Sequence, residues 1–302
     1  MSFKFNLEDL SEEQKAMLPT EEEILLYEKN GWYISKKIIP DDVLDDAIKG
    51  AEEFYKGITD FTLKNNLGIA NDNLDLSSAI RNNEFVTLQK KELQKLGFYP
   101  LIGAISSLLA RTSEVRLFAD SLINKLPEKP TNKGVVGWHS DKAYWPTCTS
   151  NNLLTAWIPL QDCTENMGPL THINNSHKWK DEEKLKSFFS FKNQDLSKFE
   201  NYLKTEKPDY SKKMMTLKKG QVSFHNCNTI HSSFPNTSNK NRLALAVHLQ
   251  DFNNKYQEVY NDKGDLVVIG YDKICNKDTF GKPNYRDSNF FPVIFKNIEN
   301  GS

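Results

Sequence analysis

The sequence lacks a long apolar stretch, a surplus of positive charge and a leader-like start. The longest clean apolar run, about residues 153–160, is far shorter than the ~20 residues that span a bilayer. The 302-residue chain has 39 basic and 40 acidic side chains, which argues against a protein that coats nucleic acid or anionic membrane. Residues 1–9 lack the basic-then-apolar layout of a secretion signal. We therefore expect a cytoplasmic protein that binds neither nucleic acid nor membrane.

The four cysteines form no C-x-x-C pair, which disfavours a zinc ribbon or a thioredoxin-type redox motif. We expect all four to be reduced, with packing or surface roles. Apolar residues make up 38% of the chain, alongside 14 Gly and 12 Pro, which is typical of a globular protein. There is no internal repeat and no Gly/Ser-rich linker, so we predict a single domain over residues 1–302.

The first part of the chain, residues 1–112, reads as helical with one strand. Thr20 and Glu23 have the spacing of a capping box, and Gly31 is a natural helix end. Residues 32–39 predict a strand that ends at Pro40. Asp41 or Asp42 is then expected to cap a helix that reaches about residue 55, and residues 100–110 predict another helix.

From about residue 114, short β-type runs alternate with turn residues. The predicted strands are 115–126, 135–141, 153–160, 169–173, 214–217, 221–225, 229–234 and 243–249. This spacing favours a sandwich or jelly roll over alternating βαβ units. We predict a jelly-roll core over about 113–251, interrupted by a mostly helical insertion at 178–212, and a C-terminal extension at 252–302. The insertion is interpreted either as a lid over the barrel mouth or as a solvent-exposed segment.

A His-x-Asp motif, His139 and Asp141, lies on one of these predicted strands. Positions i and i+2 of a strand face the same side, so both side chains can point into a barrel. They are two of the three ligands of a 2-His-1-carboxylate iron site. Alone the motif is weak, because the pattern occurs easily by chance.

The second half of the pattern comes ninety residues later. His231 is followed by Ser233 and, eleven residues after the histidine, by Arg242. Three protein ligands leave three positions of an octahedral Fe(II) for a chelating co-substrate and O₂. A guanidinium on the following strand can hold a distal carboxylate through a two-pronged contact.

In these motifs the chain resembles the phytanoyl-CoA dioxygenase-like (PhyH) family of Fe(II)/2-oxoglutarate oxygenases. The resemblance covers about residues 117–249, with a weaker echo at 27–33. Its elements stand in order along the chain: residues 122–127, 138–141, 156–170 and 231–242. The turn at 174–177 reads Asn-Asn-Ser-His where relatives have Pro-Gly-Ser-His, which puts the shape of that turn in doubt.

The resemblance implies a mainly β fold with flanking helices and a double-stranded β-helix core, cupin-like in shape. It implies the iron ligands His139, Asp141 and His231. It further implies the following 2-oxoglutarate-binding residues: Arg242 and Ser233 at the far carboxylate, with Trp157 and Asn124 bordering the co-substrate.

The implied cofactors are Fe(II), 2-oxoglutarate and O₂, and the implied reaction is hydroxylation of an unactivated C–H bond, with release of succinate and CO₂. The substrate is expected to be a small organic metabolite. A retained Asp141 favours hydroxylation over halogenation, because halogenating relatives have a small residue at this position. The alternatives within enzymes are desaturation, cyclisation or epoxidation at the same iron centre. An alternative of another class is an inactive jelly-roll binding protein, and a third option is a cupin-type isomerase with another metal.

Several other residues allow two interpretations. His225 either supports a ligand or is structural, and His172, His177 and His248 are expected to be ordinary histidines. Tyr144 and Trp145 either wall a substrate pocket or pack in the core. Asp120 is interpreted as a surface charge, with a substrate-facing role as the alternative.

Overall fold

The computed structural model describes residues 6–64, 79–130, 134–180, 182–190 and 195–297. The helices α1 to α8 of this part of the chain span Glu12–Lys15, Glu21–Asn30, Asp41–Tyr55, Lys91–Gly97, Pro100–Leu109, Glu182–Lys186, Ser197–Glu206 and Gly270–Ile274. The strands β1 to β11 span Trp32–Ile34, Ile80–Glu84, Glu114–Lys125, Val136–His139, Leu154–Pro159, Leu170–Ile173, Lys212–Met214, Ser223–Asn226, His231–Ser233, Arg242–Asp251 and Val293–Lys296. Within the described residues, no helix has the length and apolar character needed to cross a membrane.

The strands form two antiparallel sheets. The large sheet has the order β1-β8-β5-β10-β3-β11, and β2 also pairs with β3. The small sheet has the order β4-β9-β6-β7. Neighbours in a sheet are distant in sequence, as in a jelly roll rather than a meander. The predicted jelly-roll core is therefore confirmed.

The large sheet separates two environments, because successive side chains of a strand point to opposite faces. On β5, Ala156 and Ile158 belong to an apolar core that also contains Val43 and Leu44 of α3 and Ile102 of α5. Thr155 and Trp157 of the same strand face the other side and line a cavity between the two sheets. The N-terminal helices thus bury one face of the sheet and leave the other for the site.

The helices predicted for the N-terminal part are confirmed, with one correction at a cap. The Thr20 hydroxyl accepts a hydrogen bond from the backbone N–H of Glu23, and α2 ends at Gly31 with φ +84°. For α3 the predicted capping by Asp41 or Asp42 is wrong. Pro40 occupies the N-cap without a side-chain bond, and both aspartates lie in the first turn, where their charge complements the helix dipole.

Most predicted strands appear, several with shorter bounds, whereas β10 extends further than predicted, over Arg242–Asp251. The strand expected at 32–39 ends at Ile34, and the one expected at 214–217 is wrong, because β7 covers Lys212–Met214. The insertion carries α6 and α7 as expected. Phe199 of α7 is buried against Trp138, with ring centroids 5.8 Å apart. This contact places the insertion beside the strand that ends in His139.

Five of the helices and strands have no specific prediction: α1, β2, α4, α8 and β11. The sequence of β2, Ile80–Glu84, is polar at four of its five positions and lacks the alternation that identifies a strand. Its extended form depends on backbone pairing with β3, in which Glu84 lies opposite Ser121. Only the neighbouring strand, far along the chain, defines this element.

A tight turn connects the two sheets at Gly168, which has φ +62° and ends the turn Glu165–Met167. A Cβ atom there would collide with the backbone carbonyls of Phe234 and Pro235. Gly264 also has a positive φ, of +83°, but a Cβ atom would meet open space. Alanine substitutions at the two glycines can therefore be compared to separate the free-energy cost of a positive φ from that of the collision.

We expect Gly168→Ala to lower the free energy of unfolding by about 1–3 kcal/mol more than Gly264→Ala, because only the first change overpacks a buried turn. Urea unfolding followed by circular dichroism measures both variants. An equal loss in the two would mean that the turn at Gly168 can open without cost.

Candidate active site

Three side chains of the small-sheet region converge at one point. His139 ends β4, His231 begins β9, and the two residues are register partners. Asp141 does not lie on the strand as expected but begins a 3₁₀ turn, Asp141–Tyr144. Its Oδ1 nevertheless lies 3.9 Å from Nε2 of His139 and 3.7 Å from Nε2 of His231. All three residues are buried.

Backbone carbonyls orient both imidazoles. Nδ1 of His139 lies 2.8 Å from the carbonyl oxygen of Gly137, and Nδ1 of His231 lies 2.9 Å from that of Thr229. Since a carbonyl only accepts, each Nδ1 carries the proton and each Nε2 presents its lone pair. The lone pairs face the Asp141 carboxylate. This is the donor set and tautomer that a divalent cation requires.

The second oxygen of Asp141 is held by the protein. Oδ2 accepts hydrogen bonds from the Thr155 hydroxyl at 2.6 Å and from Nε2–H of His225 at 3.2 Å. The Thr155 oxygen lies 2.8 Å from Nδ1 of His248 and accepts from it, because its own proton goes to Asp141. The carboxylate thus keeps one oxygen fixed and turns the other towards the two histidines.

The environment favours the protonation states that bind a metal. Burial raises the pKa of Asp141, but the His225 hydrogen bond and the neighbouring imidazoles outweigh this and hold the pKa well below its usual value. Burial, together with His139 and His225, holds the pKa of His231 well below its usual value. Burial also lowers the pKa of His139. An ionised carboxylate and neutral imidazoles result.

A second histidine group shares His231. The side-chain nitrogens of His172, His225 and His231 also lie within 4.8 Å of one another. His225 already donates to Asp141, and this group lacks a carboxylate. Because both groups need His231, the set with Asp141 fits a cation of charge +2 better.

A second feature of this region is a pair of buried basic side chains, Arg242 and Lys125. Arg242 is 1% exposed and is the register partner of Lys125 across β10 and β3. Nη1 of Arg242 donates to the carbonyl of Gly168 at 2.6 Å, and its guanidinium lies 5.3 Å from the ring centre of Trp157. Lys125 donates to the Ser233 hydroxyl oxygen at 2.5 Å and to the Phe234 carbonyl at 2.7 Å.

Neither cation has an acidic partner in the described part of the chain. No carboxylate there lies within ion-pair distance of Arg242 or Lys125, and Nε of Arg242 has no hydrogen-bond acceptor. Burial lowers the pKa of Arg242 to about 10, and burial followed by the charge of Arg242 lowers that of Lys125 well below its usual value. A buried positive charge without a counter-charge is costly. This pair fits an anionic group such as a carboxylate.

One cavity of about 710 Å³ joins the three converging residues to Arg242. Besides these four residues, its walls include Trp157, Ser233, Thr155, His225, His248, Tyr144 and Trp145. Six of the seven predicted site residues therefore share one cavity. Tyr144 and Trp145 both line it, and Trp145 also packs in a buried cluster against Phe118, so both interpretations apply.

Asn124 is the predicted site residue that the structure does not bring to the cavity. Ser121 and Ile123 of β3 line it, and Asn124 alternates with Ile123, so its side chain lies on the opposite face. The same strand carries Asp120, whose interpretation as a surface charge is wrong. Asp120 is fully buried and accepts from the backbone of Val86 and the hydroxyl of Thr87.

Sequence reasoning missed Lys125 and Thr155 and left His225 open. Lys125 directly follows Asn124 at the end of β3, where a lysine is ordinarily exposed, so nothing in the sequence marked it as buried. Thr155 stands two residues before Trp157, so alternation could have placed it on the same face. The contact of His225 with Asp141 joins β8 to the turn after β4 and has no signal in the sequence.

Comparisons with known proteins agree with this geometry. Residues 27–244 match the phytanoyl-CoA dioxygenase (PhyH) family. The chain is 24% identical over 190 residues to a protein of Stutzerimonas stutzeri named as a probable alpha-ketoglutarate-dependent hypophosphite dioxygenase. That alignment covers 60% of this chain and 64% of the relative, which is less than two thirds of the relative's own length.

Solved structures share the fold. The non-haem alpha-ketoglutarate-dependent carbocyclase SnoK from nogalamycin biosynthesis has a TM-score of 0.66 at 20% identity, covering 96% of this chain and 98% of SnoK. The epimerase SnoN has a TM-score of 0.64 at 18% identity, covering 91% and 98%. EctD from S. alaskensis, solved with 2-oxoglutarate and 5-hydroxyectoine, has a TM-score of 0.59 at 19% identity, covering 80% and 79%.

We expect Thr155→Val to weaken Mn(II) binding by about tenfold to a hundredfold, because it removes the donor that fixes Oδ2 of Asp141. Calorimetric titration of the metal-free protein measures the affinity. Thr171→Val is the matched control, since the buried Thr171 hydroxyl has no hydrogen-bond partner. Equal affinities in the two variants would show that Asp141 needs no support from Thr155.

Proposed function

Since the chain belongs to the phytanoyl-CoA dioxygenase family and is a 2-oxoglutarate-dependent non-haem iron oxygenase, we propose that it hydroxylates an unactivated C–H bond of a small organic molecule. The observation that carries the proposal is a single cavity containing both a 2-His-1-carboxylate donor set and a buried cation without an acidic partner in the described residues. The first part fits Fe(II), and the second fits a dicarboxylate.

The roles of individual residues follow from their contacts. His139, Asp141 and His231 would hold Fe(II) through two Nε2 atoms and Oδ1. Arg242 would neutralise the far carboxylate of 2-oxoglutarate. Ser233, whose oxygen accepts from Lys125, has its own proton to donate to the same carboxylate.

Bound Fe(II), with 2-oxoglutarate and O₂, supplies the oxidising power, and the chain supplies position and shielding. The oxygens of Asp141 stay ionised because Thr155 and His225 both donate to one of them. Trp157 and Trp145 form apolar walls that exclude water from the reacting carbon. Since Gly168 accepts from Arg242, the guanidinium keeps a fixed direction towards the cavity.

We favour hydroxylation over halide transfer, because Asp141 would serve as the third protein ligand of the metal, whereas halogenating relatives have a small residue at the matching position. Desaturation, cyclisation and epoxidation use the same donor set. Product mass distinguishes hydroxylation and epoxidation, which add oxygen, from desaturation, which removes two hydrogens. We propose a small metabolite as the substrate and the cytoplasm as the location of the protein.

The experiment that tests the proposal measures succinate release with Fe(II) and 2-oxoglutarate against a library of small metabolites, with mass analysis of the product. We expect one class of compound to stimulate succinate release and to gain one oxygen. Asp141→Ala should abolish the release, because it removes one of the three ligands. Asp42→Ala, an exposed aspartate of α3, should leave it unchanged. Turnover retained in Asp141→Ala would contradict the ligand assignment.

We expect Arg242→Ala to weaken 2-oxoglutarate binding by roughly a hundredfold while changing Mn(II) affinity little, since truncating a buried charge partner costs about 2–5 kcal/mol. Calorimetry with each ligand separates the two effects. Arg111→Ala, which removes an exposed arginine paired with Glu21 and Glu28, serves as control. Equal loss of both ligands, or of neither, would count against the role of Arg242.

A further inference from the structure

One charged side chain of the cavity has no part in the proposed chemistry. Among the described residues that line it, the acidic or strongly basic ones are Glu84, Asp141 and Arg242. Asp141 belongs to the metal donors and Arg242 to the co-substrate. Glu84 is left, and no described lysine or arginine lies within ion-pair distance of it.

Glu84 sits at the end of the cavity away from Arg242. It is the last residue of β2, opposite Ser121, whereas Lys125 and its partner Arg242 lie opposite Ile80 at the start of the same strand. Glu84, Asn82 and Ile80 alternate along β2 and all line the cavity. The strand therefore presents its one acid to the cavity far from the two cations.

Tyr271 of α8 connects Glu84 to the metal donors. Its hydroxyl is a hydrogen-bond partner of the Glu84 carboxylate, and burial, with a contribution from the negative charge of Asp141, raises the pKa of Tyr271. Two edge-to-face contacts hold its ring, with Phe85 at 5.6 Å and Phe118 at 5.2 Å between centroids. Glu84 thus lies beside a side chain whose ring is held in place, and both line the cavity that contains Asp141.

The surroundings of Glu84 leave its charge uncompensated. Burial and the negative charge of Asp120 raise the pKa of Glu84 to about 7, against the opposing effect of the Tyr271 hydrogen bond. Asp120 itself is satisfied by Val86 and Thr87. A carboxylate in such a place gains more from a bound cation than one in water does.

We propose that Glu84 determines substrate specificity by pairing with a protonated amine, so that the substrate is a small molecule with an apolar body and one cationic nitrogen. The inference rests on the proposed function, since it assigns the part of the same cavity left beside the metal and co-substrate. The apolar body matches the wall beside Glu84, where Ile269 and the ring of Tyr271 line the cavity.

Charge complementarity then sorts the two ligands. A dicarboxylate is attracted to Arg242 and repelled by Glu84, and an amine is attracted to Glu84 and repelled by Arg242. Each ligand is thereby directed to its own end of one cavity. A neutral analogue of the amine loses this discrimination.

The test compares cyclohexylamine, protonated at neutral pH, with the similarly sized cyclohexanol. Binding to the Zn(II)- and 2-oxoglutarate-loaded full chain is followed by ligand-observed NMR at pH 8, where Glu84 is mostly ionised. We expect the amine to bind about tenfold more tightly, as a charge-assisted bond outweighs a neutral one by ~1.4 kcal/mol. Glu84→Gln should reduce the ratio to about one.

Two further variants make the result specific to Glu84. Glu84→Asp keeps the charge and should retain a preference for the amine. Glu52→Gln removes an exposed acid of α3 and should leave the preference unchanged. A wild-type protein without preference for the amine overturns the inference, and so does a preference that survives Glu84→Gln.

The proposed function fails separately from this inference. Calorimetry of 2-oxoglutarate binding should give the same affinity in wild type and Glu84→Gln, because Glu84 lies at the opposite end from Arg242. If 2-oxoglutarate binds to neither protein, the proposed function is wrong. The amine preference is then measured without the co-substrate and still stands or falls by Glu84.

Discussion

The burial of Arg242 and Lys125 without an acidic partner in the described chain constrains everything else in the cavity. Burial lowers the pKa of Lys125, and the neighbouring charge of Arg242 adds to this effect. The hydrogen bonds of the two side chains to Gly168, Ser233 and Phe234 satisfy donors without supplying negative charge. An anion at this end of the cavity would supply the missing negative charge. The metal donors line the same cavity.

The large sheet makes this arrangement possible through simple alternation. Every second residue of β5 and β10 packs against the N-terminal helices, and the residues between them face the cavity. Thr155, Trp157, Ala246 and His248 all belong to the second set. The same strands thus stabilise the fold and carry the site. Because the apolar side chains pack against the helices, the side chains between them must point into the cavity.

Asp141 connects the two sheets through hydrogen bonds. It follows β4 of the small sheet, yet its Oδ2 is held by Thr155 and His225 of the large sheet. These contacts keep the carboxylate ionised and turn Oδ1 towards His139 and His231. Tyr271 extends the network to Glu84 through its charge interactions. Acidic groups are thereby spread along the cavity while the cations stay at one end.

The sequence by itself predicted most of the jelly-roll strands and the helices α2, α3 and α5. The family resemblance of its motifs implied the site residues His139, Asp141, His231, Ser233, Trp157 and Arg242. These follow from local alternation, caps and short motifs, which depend on neighbours in the chain. Only the tertiary structure decided that Lys125 rather than Asn124 stands beside Arg242, that Asp120 is buried, and that Glu84 of the polar strand β2 faces the cavity. Strand pairing sets these positions, and its partners are far apart in sequence, so no local pattern records them.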